Sequence, residues 1–243
     1  MSRYPSSVVV WEGQSQLNHK PVVLILTGLE RSSTNIKTGN MVQAVILDGT
    51  LKPTEAVQQG TDESVCGDCP LRKGVCYVNL VPWNQVFRAY SEKKIPHISE
   101  EVLERAKDNN RKLRITAYGD PLAVPLGVWM RLLEYFRHHT GYTHQWRRSN
   151  LNPRWTSILM ASCESKLDVL EASAQGWSTF RVRNKEAQMM NKEIECPHVN
   201  NSDVKCANCR LCSGSGTGQR HVVVPVHGLE WKQNNFQQLT ADG

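Results

Sequence analysis

Apolar, β-branched runs recur along the chain at residues 22–26, 42–47, 113–117, 157–161, 180–182 and 222–226, and each reads as a buried strand. Between several of them the pattern lengthens to a helical period. Ser99 precedes residues 100–108, whose acidic first turn suits a helix N-terminus. Residues 127–138 place Val128, Leu132, Leu133 and Phe136 at amphipathic spacing, and residues 166–174 form a short helix that Gly176 stops. Strands alternating with helices predict parallel pairing through right-handed crossovers, so residues 113–182 read as consecutive βα units. The predicted class is α/β: a small or incomplete TIM-like barrel of parallel strands, since a full eightfold barrel needs about 250 residues. A doubly wound open sheet is the alternative. The chain reads as one domain over residues 1–243 with cysteine-rich insertions at 66–76 and 196–212. The run from Ser213 to Gly218 reads as a flexible connection or a loop held by a metal site, and the polar tail from Gln233 is predicted to fray.

Composition narrows the picture. The 243 residues are 40% hydrophobic and 21% charged, ordinary values for a globular protein with a real core. No run approaches the roughly 20 apolar residues of a membrane span, so no membrane partner is expected. The apolar stretch after Met-Ser-Arg is too short for a signal peptide, which with reduced thiols predicts a cytoplasmic protein. A net charge of +6 leans toward an anionic partner, DNA or RNA.

Cysteine placement carries the strongest chemical signal. Cys66, Cys69 and Cys76 form one group, Cys196, Cys206, Cys209 and Cys212 another, and only Cys163 stands apart. Thiolates two residues apart on a turn converge on one soft metal, which makes C-x2-C a chelating unit. The C-terminal quartet suits either tetrahedral Zn2+ or a [4Fe-4S] cluster, with His198 as an alternative zinc ligand. The first group supplies three ligands for a second metal, leaving a fourth position for water, substrate, a small cofactor or a histidine such as His97. Structural disulfides are the less favoured reading in a chain of this size.

Other candidate chemistry lies where strands end, the place where α/β folds collect function. Asp120, after Tyr118 and Gly119, can serve as nucleophile, general base or ligand, or instead cap the next helix. His144 lies in Gly-Tyr-Thr-His-Gln-Trp-Arg-Arg, and Glu164 follows Cys163 at another strand exit; both are catalytic candidates. Tyr142, Trp146, Arg147, Arg148, Arg154 and Trp155 combine rings that stack on bases with guanidiniums that meet phosphates. Alternatively, Tyr142, His144 and Trp146 share one half-buried strand face. Lys37, in Lys-Thr-Gly, is a weaker phosphate contact, because the Gly-Lys-Ser/Thr order of a P-loop is missing.

Taken together, Asn35-x-Lys37-Thr-Gly39-x-Met41, the Cys66–Tyr77 motif, Arg114-x-Thr-x-Tyr-Gly-Asp120-Pro, Gly141-Tyr-Thr-His144 and the final quartet resemble uncharacterised phage- and plasmid-borne cysteine-rich proteins. A fainter similarity runs to the tRNA-guanine transglycosylase superfamily and its deazapurine-in-DNA relatives. That similarity implies a TIM-like barrel, an aspartate nucleophile matched by Asp120, and a C-terminal zinc site matched by the quartet. The leading expectation is therefore a metalloprotein acting on nucleic acid, a base-removing glycosylase or base-exchanging transglycosylase. An iron–sulfur enzyme similar to radical S-adenosylmethionine enzymes, and a non-enzymatic metal-stapled nucleic-acid-binding protein, are the alternatives.

Overall fold

The computed structural model describes residues 4–30, 35–72, 74–216 and 218–240. Thr217, within the predicted flexible run, and the end of the predicted fraying tail, residues 241–243, lie outside the described residues. The chain divides into two compact units, the first Met1–Gly67 with Val78–His139 and the second Asp68–Tyr77 with Thr140–Gly243.

In the first unit, β1 (Ser7–Gln14) pairs antiparallel with β2 (Pro21–Thr27), and β2 pairs antiparallel with β3 (Met41–Asp48). Only β3 and β4 (Lys112–Tyr118) run parallel, so the expectation of uniformly parallel strands fails here. A residue-by-residue alternation is absent from β3 because all eight of its residues are buried. The crossover from β3 to β4 carries α1 (Pro53–Gln59), α2 (Glu63–Cys66), α3 (Val81–Ser91) and α4 (Glu100–Asp108). Ser99 caps α4, its hydroxyl accepting from Val102 N. The last helix of the unit, α5, covers Leu126–Leu133 and stops short of the predicted end at residue 138.

The second unit is an all-parallel sheet ordered β5 (His139–Thr143), β6 (Met160–Cys163), β7 (Thr179–Arg183), β9 (His221–Pro225), β8 (Glu193–Glu195). Its helices are α6 (Arg154–Ile158), α7 (Lys166–Ala174), α8 (Pro197–Asn200), α9 (Cys206–Cys209) and α10 (Glu230–Leu239). The α/β class and its parallel βα units thus hold, while neither unit's strand order closes on itself among the described residues. Residues 157–161, read as one strand, are instead the end of α6 and the start of β6. The polar tail is helical rather than frayed, since α10 buries Phe236 against Leu71 and Val226. The serine–glycine run is likewise anchored. Ser215 N and Oγ both donate to Thr156 O at 2.8 Å, and a Cβ on Gly214 would meet Ser157 O at 2.5 Å.

Among the described residues no helix is long and apolar enough to cross a membrane.

Candidate active site

The second unit gathers three reactive side chains into a line. Cys69 Sγ lies 3.4 Å from His144 Nδ1, and His144 Nε2 lies 2.8 Å from Glu164 Oε1. Each arrives from a different element. His144 follows β5 directly, placed at the carboxyl end of a parallel strand where side chains project from the sheet rim. Glu164 follows β6 and stands just before α7, whose capping box joins Ser165 and Asp168. Asp168 Oδ2 also accepts from Glu164 N at 2.9 Å, which fixes the backbone beneath the Glu164 carboxylate.

Cys69 comes from the segment Asp68–Tyr77. Its neighbour Asp68 accepts from Gln145 Nε2 at 2.7 Å, so two consecutive residues of this segment clasp two consecutive residues after β5. Gln145 N in turn donates to Thr143 Oγ1, holding the short turn in place. On its other side the segment packs through Cys69, Val75 and Cys76 against Leu71, Val226 and Phe236. The His144 and Glu164 side chains retain 18% and 10% of their exposure.

Burial works against a charged His144 ring. The Cys69 charge and hydrogen bond, with the Glu164 hydrogen bond and charge behind them, outweigh it and hold the His144 pKa well above the ordinary histidine value. The arrangement is a proton relay: a thiol, an imidazole able to take its proton, and a carboxylate that orients and charges the imidazole. Cys163 is different. It is fully buried, and desolvation together with the Glu164 and Asp168 charges pushes its thiol strongly up, which makes it inert.

Of the catalytic candidates, His144 and Glu164 are thus brought together, and Asp120 belongs to the first unit. Asp120 is 5% exposed and its Oδ1 accepts from Leu122 N at 3.0 Å, capping the single turn Pro121–Ala123. Lys37 also lies in the first unit, half-buried in a turn where Asn35 Oδ1 accepts from its backbone N. Trp146 and Trp155 are core residues, 1% and 6% exposed, so their rings are not offered to bases; Trp146 Nε1 donates to Ser162 O. Tyr142 packs on Phe180. Arg147, Arg148 and Arg154 are all exposed, and Arg147 lies over the Trp146 ring and pairs with Asp168 and Glu171.

None of the eight cysteines forms a disulfide among the described residues. Cys66 falls in the first unit, and Cys69 and Cys76 in the second. His97, the suggested fourth ligand, is in the first unit beside Glu12. The C-terminal quartet lies wholly in the second unit, where burial and the charges of Cys206, Cys196 and Cys209 push Cys212 up to about 12 against the opposing hydrogen bond from Tyr142. Among the described residues no three His, Cys, Asp or Glu side chains are already arranged around a common point as metal ligands.

Comparison with protein-family models, curated proteins and solved structures finds no match to this chain. The partnership of Cys69 with His144 has no signature in the sequence. The two are 75 positions apart, and nothing local indicates that the segment after Gly67 reaches the end of β5.

Proposed function

We propose that the chain is a cysteine-dependent enzyme in which Cys69 is the nucleophile, His144 the general base and acid, and Glu164 the residue that positions His144. The observation that supports this reading is the continuous contact Cys69–His144–Glu164, in which the imidazole faces the thiol with one nitrogen and a carboxylate with the other. The reaction class is acyl transfer. His144 takes the Cys69 proton, and the thiolate adds to a carbonyl carbon. As the tetrahedral adduct collapses, the leaving alcohol or amine accepts the proton from His144, and a thioester remains on Cys69. Water then attacks the thioester while His144 takes one of its protons, which passes to Cys69 as the acid departs. A reducing compartment such as the cytoplasm suits a centre that works as a free thiol.

An activated acyl ester tests this directly. Treating the chain with p-nitrophenyl acetate should release a burst of p-nitrophenol and leave one acetyl group on Cys69. The burst should vanish in Cys69→Ser and slow roughly 100-fold in His144→Gln, the low end of general acid–base catalysis. Acetylation spread evenly over exposed residues, with none at Cys69, contradicts the reading.

One observation favours a second reading. Two ligands on tetrahedral zinc, with Zn–S about 2.3 Å and Zn–N about 2.1 Å, stand roughly 3.6 Å apart, close to the 3.4 Å between Cys69 and His144. A carboxylate on the far nitrogen is also the usual support of a metal-bound histidine. In this reading Cys69 and His144 hold a soft metal, and bound metal that disappears in His144→Gln is its test.

A further inference from the structure

The second unit contains another cluster that the proposed acyl transfer does not use. Cys196 directly follows β8 and is 8% exposed, and its N donates to Val223 O on β9 at 2.9 Å. It shares a core cluster with Met160, Val222 and Val224, against which Leu211 and Cys212 also pack. Cys206 and Cys209 occupy the two ends of the single turn α9. The chain then reverses at Arg210, a non-glycine residue held at φ 61°, and this reversal returns Cys212 toward the same core. A left-handed residue that is not Gly, Asn or Asp costs on the order of 1 kcal/mol or more and persists where its surroundings over-determine it. Four thiols, from the residue after β8, from α9 and from the following turn, thus lie in one unit.

We propose that Cys196, Cys206, Cys209 and Cys212 bind one Zn2+ as a closed structural site. Three features of the cluster favour zinc. C-x2-C on a single turn with a reversal after its second cysteine directs two sulfurs at one ion. Four thiolates leave no open position, as structural rather than catalytic zinc requires. Four thiolates gathered on one ion repel one another, and a dication offsets that charge. Cys206, Cys209 and Cys212 are half-buried side chains, with Cys196 as the buried anchor. His198 is not a ligand in this assignment. Its Nδ1 donates to Val204 O at 2.8 Å, closing the loop between Cys196 and Cys206. The site also braces the strand that carries His144, because Gly141 N on β5 donates to Cys212 O at 3.1 Å.

The test is metal and sulfide analysis of the full chain, purified without oxygen from cells grown with zinc and iron. The expected result is one zinc per chain, no iron and no acid-labile sulfide, unchanged in Cys69→Ser and in His198→Gln. Cys209→Ser should lose zinc to background. Should that variant fail to fold, wild-type protein supplies the answer: a mercurial plus chelator should release zinc in step with loss of the native melting transition. Iron with sulfide, folded protein without metal, zinc retained in Cys209→Ser, or zinc lost in His198→Gln overturns the assignment. A second zinc that disappears in Cys69→Ser supports this site while overturning the nucleophile reading of Cys69.

Discussion

At the scale of single residues, His144 is the decisive side chain. Its folded pKa is raised, so the folded state holds its proton more tightly than the unfolded chain. The stability this contributes is fully present below about pH 6.5, the ordinary histidine value, and is lost as pH rises through the higher folded value. Urea denaturation from pH 6 to pH 10 should therefore show a decline in stability that His144→Gln flattens; an identical slope in both proteins contradicts a charged His144. Asp120 provides the contrast. As a cap, its replacement by Ala should cost about 1 kcal/mol and leave acetylation of Cys69 unchanged; loss of the Cys69 reaction with unaltered melting would instead make Asp120 a catalyst. Sequence showed that both residues stand at strand ends. It did not show that Asp120 turns onto its own backbone while His144 meets two partners, because that depends on contacts made across 75 and 20 positions. The tryptophans were misleading for a related reason. A ring beside arginines reads as a stacking surface, yet Trp146 uses its face for Arg147 and its N–H for Ser162 within the core. Trp146→Ala should cost about 3–5 kcal/mol, read by thermal or urea melting.

At the scale of elements, hydrophobic runs located most strands because burial on both faces leaves a continuous apolar signal. Thus β2, β3, β4, β7 and β9 were legible, whereas β5, with the sequence His-Thr-Gly-Tyr-Thr, and β8, with Glu-Ile-Glu, were not. The order of β7, β9 and β8 explains the polar strand. Arg181 on β7 pairs with Glu193 on β8 at 2.6 Å across the intervening β9, with side chains only 3% and 1% exposed, and Arg183 pairs with Glu195 one pleat further on. Charges at alternate positions look like a solvated strand in sequence but are a buried bridge in space. Removing one partner strands a buried charge, so Arg181→Met should destabilise by about 3–5 kcal/mol, and the double variant Arg181→Met/Glu193→Leu should recover much of that loss. Equal destabilisation in single and double variants contradicts a paired role. Since β8 leads directly into Cys196, the same single variant should also weaken zinc retention if the proposed quartet site holds it.

At the scale of the whole molecule, the α/β character follows from alternating apolar and helical runs, but the division into two units does not. The boundary between Gly67 and Asp68 cuts through the first cysteine group, which spacing alone treats as one chelating motif. Spacing measures reach along the chain, whereas Cys69 is committed in space to His144 and, through Cys76 and Val75 beside it, to the core around Phe236. The central claim is that His144 and Glu164 activate Cys69, and the rate of iodoacetamide labelling at each cysteine against pH measures this most directly. Mass spectrometry of the native chain should find Cys69 labelled fastest of the eight at pH 7. In His144→Gln that rate should fall roughly 100-fold at pH 7 and recover only at alkaline pH. Cys69 labelled no faster than the other half-buried cysteines, or labelled equally fast in wild type and His144→Gln, contradicts the account.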